Sequence, residues 1–219
     1  MNSLNDPEVQ AVLTREHGLA EDDTQKLASL RAQIDAAKAD GTFTYDLYPN
    51  DVYLSIEPAM GVFLNLSTNI CGAKTIVEFG SSFGISTIYL AAAAKDMGGK
   101  VIGSEMEQSK AEKAIANIEE AGLSEHAEIR VGDAMETLKN IEGPVDLLFL
   151  DGWKDLYLPV AKMMQPKLRT GSLLLADNMQ TFPDELNSYL EHVNKPEGPF
   201  ETVILPFESG LGYSLYTGS

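Results

Sequence analysis

Thr75-Ile-Val-Glu-Phe-Gly-Ser-Ser-Phe-Gly-Ile-Ser-Thr87 decides how this 219-residue chain is read. Its first five residues are mostly β-branched or apolar, Gly80 and Gly84 bracket a turn, and an apolar helical run follows. Strand, glycine turn and helix start together open a βαβ unit. Gly80 and Gly84 let the backbone pass close to a ligand, and the helix N-terminus attracts a carboxylate or phosphate. The dinucleotide fingerprint GxGxxG is absent, because Ser82 stands where its second glycine belongs. Ser81, Ser82 and Ser86 instead offer hydroxyls suited to a zwitterionic amino-acid group.

Downstream of this unit strands and helices alternate. Strands are predicted near 75–79, 100–105, 127–131, 145–150, 171–177, 200–206 and 212–217, and helices near 84–95, 107–121, 133–140, 155–165 and 183–193. That order predicts an α/β, Rossmann-like, doubly wound sheet of seven strands with helices on both faces. The connection 208–212 is too short for a crossover helix, so the last strand is expected to run antiparallel. Upstream, Ser55 to Leu66 reads as a helix with proline near its start. Residues 1–40 read as two helices. Asp6-Pro7 starts the first and Gly18 closes it. The second runs from about Glu21 to Lys38, with Leu27, Leu30 and Ile34 at helical spacing and Asp40-Gly41 at its end. Glu21, Asp22 and Asp23 suit the positive end of that second helix. Residues 1–54 are thus expected to be a helical arm or lid of the same domain, and 55–219 to carry the chemistry.

Acidic residues outnumber basic ones 33 to 16, a net charge of −17, which disfavours nucleic acid and anionic membranes as partners. The single cysteine, Cys71, excludes an internal disulfide framework and fits a reducing compartment. No apolar run approaches the roughly 20 residues of a membrane span. The polar start MNSLNDPEVQ does not read as a signal peptide. A soluble cytoplasmic protein is expected.

The predicted strands end in acids. Glu105, which can accept both hydroxyls of a ribose, closes the second, and Asp133, suited to an adenine amino group, closes the third. Each acid alone is more often a helix cap or turn residue, and the two ending successive strands beside a glycine turn form the better signal. The fourth strand runs into Asp151-Gly-Trp-Lys154-Asp-Leu-Tyr157, which places a carboxylate and an amine one helical turn apart at a strand end. Asp151-Gly152 is also a common turn pair, and Lys154 alone reads as an ordinary solvated lysine. Asp177-Asn178 closes the fifth strand.

The order Glu78-Phe-Gly80, Glu105, Gly132-Asp133 resembles the class I S-adenosylmethionine-dependent methyltransferases. Asp151-Gly-Trp-Lys154-Asp-x-Tyr157 followed by Ala176-Asp177-Asn178 resembles the cation-dependent O-methyltransferases, the catechol and caffeoyl-CoA group. Glu57-Pro-Ala-Met-Gly61-Val-Phe63-Leu64 resembles the helix before the glycine turn in the caffeoyl-CoA branch, and the likeness runs from about Ser55 to Tyr216.

The resemblance implies a methyl donor, S-adenosylmethionine, held by Glu78, Gly80, Ser82, Gly84, Ser86, Glu105, Met106, Asp133, Ala134, Asp151 and Trp153. It also implies a hard divalent cation, usually magnesium, on Asp151, Asp177 and Asn178. Two carboxylates about 4 Å apart repel by about 4 kcal/mol at a protein-surface dielectric, so a positive charge between them is expected. Two carboxylates and an amide oxygen suit magnesium rather than zinc. Lys154 is the expected general base and Asp151 its catalytic neighbour, acting on a phenolic, catechol-like acceptor.

Trp153 is expected against the adenine or the acceptor ring, with a core tryptophan as the other reading, while Tyr157 is read as structural. Tyr45, Tyr48, Met179 and Phe182 are candidates for an aromatic-friendly pocket, the last two also reading as plain core. In catechol O-methyltransferases a glutamate of the final hairpin grips the second substrate hydroxyl, whereas Gly212 falls there in this chain. Either another side chain such as Glu208 substitutes, or the acceptor is not a simple catechol. The alternatives are a methyltransferase for a tRNA nucleoside, a non-catalytic adenosylmethionine-binding protein and, last, an NAD-linked oxidoreductase. A homodimer is compatible with the resemblance and the helical arm.

Overall fold

A computed structural model describes residues 2–44 and 47–218 of the chain. The elements are α1 (Pro7–Asp22), α2 (Thr24–Asp40), α3 (Pro58–Cys71), β1 (Thr75–Phe79), α4 (Ile85–Met97), β2 (Lys100–Glu105), α5 (Gln108–Glu120), β3 (Ala127–Val131), α6 (Ala134–Thr137), β4 (Val145–Leu150), α7 (Tyr157–Met164), β5 (Leu168–Ala176), α8 (Asn187–Val193), β6 (Phe200–Leu205) and β7 (Leu211–Tyr216). The sheet order is β3-β2-β1-β4-β5-β7-β6. Only β7 is reversed, pairing antiparallel with both β5 and β6. This is the expected Rossmann-like sheet.

Period-two alternation in the central strands divides the core. Leu147 and Phe149 of β4 join Ile76, Leu173, Leu64 and Ile88 on the face covered by α3 and α4. Leu148 and Leu150 turn to the other face, with Val77, Leu174, Val160 and Tyr189 beneath α7 and α8. Every residue of β4 is buried, which explains its continuous apolar run. Each fully buried leucine or phenylalanine there contributes roughly 1.5–3 kcal/mol.

The strand order reverses between β1 and β4, opening a crevice at their carboxyl ends. Gly80 follows β1 with φ +92°, and a Cβ there would stand 2.5 Å from the Asp151 carbonyl oxygen. The glycine turn therefore packs on the start of the Asp151 loop, and the two quoted motifs form one place in space. Ser82 adopts φ +46°, a left-handed conformation more natural to glycine.

The arm differs from expectation. Helix α1 does not stop at Gly18 but continues to Asp22, because an interior glycine costs a helix only about 1 kcal/mol while Val9, Val12 and Leu13 anchor it to the domain. Glu21 and Asp22 therefore lie in the last turn of α1, not at the positive end of α2. Gly41 does end α2, at φ +75°. Helix α3 begins at Pro58, later than predicted, and runs on to Cys71. The helices predicted at 133–140 and 183–193 shorten to α6 and α8. No helix among the described residues is long and apolar enough to cross a membrane.

Candidate active site

The cleft beside the glycine turn is lined by Tyr53, Ser55, Ile56, Gly80, Ser82 and Asp151 among others. Glu78, at the β1 end, is fully buried. Its Oε2 accepts from the hydroxyls of Ser81 and Thr87, while Oε1 has no hydrogen-bond partner among the described residues. Burial pushes its carboxyl above the usual range, against the hydroxyls of Ser86, Thr87 and Ser81. A buried acceptor left open is costly unless a ligand donates to it. An ammonium meets that need.

Glu105 ends β2 and is also buried. Its Oε2 accepts from the Ser82 backbone N–H at 2.7 Å and its Oε1 from the Glu107 N–H at 2.9 Å. This ties the end of β2 to the glycine turn and leaves one further lone pair on each oxygen. Ser86 and Gly84 flank the start of α4, Ser86 buried and Gly84 at φ +87°. Met106 is exposed beside Glu105, and Ala134 is buried in the first turn of α6. Asp133 caps α6, its Oδ1 accepting from the Met135 N–H at 2.8 Å. Here the helix-cap reading holds, with the second oxygen left for other work. Trp153 stands against Tyr48, ring centroids 5.5 Å apart.

Asp151 and Asp177 lie one residue beyond the register pair Leu150–Ala176 of neighbouring strands. Adjacent parallel strands are about 4.8 Å apart, so the two carboxyls share one location. Burial, then the facing Asp177, push Asp151 well above the carboxylate range, with Lys154 opposing. Burial also raises Asp177, against the donated hydrogen bonds from the Ser209 hydroxyl and the Asn178 N–H. Asn178 sits at φ +69°, which turns the chain immediately after Asp177.

Lys154 Nζ lies 3.9 Å from Asp151 Oδ1 with its side chain 11% exposed. It donates to the Gly152 carbonyl at 2.8 Å and the Tyr157 hydroxyl at 2.9 Å, and Tyr157 donates onward to the Asp177 carbonyl at 3.3 Å. Burial pulls its pKa below that of an ordinary lysine, against Asp151 and Asp177. Two hydrogens are thus engaged away from the carboxylates, and the remaining position on nitrogen is free to carry a proton or a lone pair.

Two raised carboxyls and an amide, all hard oxygen donors, fit a hard divalent cation. Among the described residues no group of three His, Cys, Asp or Glu side chains is placed to hold a metal ion.

Of the aromatic candidates, Phe182 lies beneath Lys154 with 5.7 Å from Nζ to the ring centroid, and Tyr48 faces Trp153. Met179 is buried core against Gly212, and Tyr45 lies outside the described residues. Gly212 lies within β7, and the hairpin before it brings the Ser209 hydroxyl to Asp177. Glu208 is exposed, its N–H 3.5 Å from Glu57 Oε1. Ser209 was not singled out from the sequence, because Asp177 lies 32 positions away along the chain and Ser209 carries no local pattern.

Residues 77–179 match a family described as a methyltransferase domain. Over 130 residues the chain is 35% identical to a catechol O-methyltransferase of Niastella koreensis, covering 58% of each chain. Over 123 residues it is 29% identical to caffeoyl-CoA O-methyltransferase 1 of Eucalyptus globulus, covering 54% of this chain and 50% of that one. The chain therefore spans little more than half the length of these relatives. The solved O-methyltransferase of Bacillus cereus in complex with SAH superposes with a TM-score of 0.69 over 86% of this chain and 91% of that one, at 22% identity.

Proposed function

We propose, from the premise that this chain carries a class I, S-adenosylmethionine-dependent methyltransferase domain resembling the catechol and caffeoyl-CoA O-methyltransferases, that it transfers a methyl group to an oxygen of a small phenolic acceptor. The observation that carries this reading is the convergence of Asp151, Lys154 and Asp177 beside the Gly80 turn.

On the donor side, the open Glu78 oxygen and the serines of the glycine turn receive the amino-acid end of S-adenosylmethionine, and Glu105 accepts from the ribose hydroxyls. Met106, Ala134, Asp133 and Trp153 surround the adenine. On the acceptor side, Asp151, Asp177 and Asn178 would hold a divalent cation, and their hard oxygen donors suit magnesium. When bound, it favours the ionised form of a neighbouring phenol.

Lys154 receives the phenolic proton, its neutral amine favoured by burial. The acceptor oxygen forms its bond to the methyl carbon as the carbon–sulfur bond breaks. The electron pair stays on sulfur, leaving a neutral thioether. No covalent enzyme intermediate is required, and the residues contribute orientation and water exclusion. The net charge of −17 weighs against a tRNA acceptor. The single cysteine accords with a reducing, cytoplasmic setting.

The test is transfer of labelled methyl from S-adenosylmethionine to catechols, flavonoids and hydroxycinnamates by the wild type and Lys154→Met. Turnover of at least one acceptor is expected, with Lys154→Met slower by about 10²–10⁴-fold yet binding S-adenosylhomocysteine as well as the wild type. Equal turnover by the variant would remove Lys154 from the chemistry.

A further inference from the structure

Glu16, on α1, is fully buried, an unusual place for a carboxylate with no part in the chemistry above. Its Oε1 accepts from Arg15 Nε at 2.8 Å and Lys113 Nζ at 3.2 Å, and its Oε2 accepts from the Tyr53 hydroxyl at 2.6 Å. Asp23, just past the end of the same helix, accepts from the Tyr53 backbone N–H at 3.1 Å. Two carboxylates of one arm thus hold both ends of one tyrosine.

The Tyr53 ring lies on Phe83, with centroids 4.1 Å apart and planes within 22°. Phe83 belongs to the glycine turn, and its carbonyl accepts from Asn117 Nδ2 at 2.9 Å. Asn117 Oδ1 in turn accepts from Arg15 Nη2 at 2.9 Å, which closes a circuit from the arm through the turn and back. Both rings line the cleft beside Gly80 and Ser82.

We propose that α1 is a fixed strut of the donor pocket rather than a lid, with Glu16 and Tyr53 as positioning residues that hold the Tyr53–Phe83 wall in its binding shape. A wall ordered in advance loses less freedom when the donor arrives. This rests on the adenosylmethionine reading above.

Calorimetric binding of S-adenosylhomocysteine to the whole protein tests it, with Tyr53→Phe, Glu16→Gln and the double variant, alongside thermal midpoints. Tyr53→Phe keeps the ring and leaves Glu16 with Arg15 and Lys113, so it carries the test even if Glu16→Gln does not fold. About ten-fold weaker binding is expected for Tyr53→Phe, the scale of one charge-assisted hydrogen bond. The double variant is expected to be no worse than the weaker single one, because both act through the same bond. The acceptor KM at saturating donor should stay as in the wild type. Unchanged affinity with a lowered midpoint would show a merely structural role and overturn the strut, as would additive losses in the double variant. Failure of the wild type to bind S-adenosylhomocysteine would overturn the donor reading and the strut together.

Discussion

Where β2 ends, both oxygens of Glu105 already accept backbone N–H groups, and the Gly80 turn is pinned between that carboxylate and the Asp151 loop. Where β4 and β5 end, Asp151 and Asp177 face each other in a nearly dry site, pushed up by burial, with Lys154 only 3.9 Å from Asp151. The donor half is satisfied by its own backbone, apart from one open oxygen on Glu78. The acceptor half carries an electrostatic demand that its own residues meet only in part. On the reading proposed above, one half receives a ligand of fixed shape and the other gathers positive charge.

Gly80→Ala would collapse this contrast and have the largest effect. The added Cβ meets the Asp151 carbonyl at 2.5 Å in a backbone that side chains rarely adopt. Both halves must shift, and the strain is about 1–3 kcal/mol. Loss of S-adenosylhomocysteine binding and of methyl transfer together, with a lower thermal midpoint, is expected, whereas retained binding would mean that the halves are independent.

Glu105→Gln sharpens the contrast by striking one half alone. One end of the amide turns a donor towards a backbone N–H, so donor affinity is expected to fall about 10–100-fold. The maximal rate at saturating donor should hold. A fall in that rate instead would move Glu105 to the acceptor side.

Ser209→Ala strikes the other half more gently, by removing the hydroxyl that donates to Asp177. The acceptor KM should rise about 2–10-fold, the scale of one net hydrogen bond, with S-adenosylhomocysteine affinity unmoved.

The elements of the proposed donor half were largely legible in the chain as places in the fold, because they are contiguous. A β-rich run, glycines at 80 and 84 and an acid closing the next strand all lie within one βαβ stretch. Asp151, Lys154 and the 177–178 pair were also legible, as strand-end residues in a recognised order. The helix stop misplaced at Gly18 shows the limit of local punctuation. Tertiary burial of Val9, Val12 and Leu13 keeps the helix going where a glycine alone reads as an end. Contacts between Glu16 and Tyr53, or Ser209 and Asp177, join side chains from remote parts of the chain. Period and spacing carry no trace of such pairs, and only the packed fold brings them together.

The acceptor half's demand for positive charge is tested most directly by the rate of methyl transfer to a catechol as magnesium is titrated into chelator-treated wild-type protein at saturating S-adenosylmethionine. Activity that is lost on chelation and returns in a saturable way with magnesium is predicted. A full rate in excess chelator would contradict a cation held by Asp151, Asp177 and Asn178.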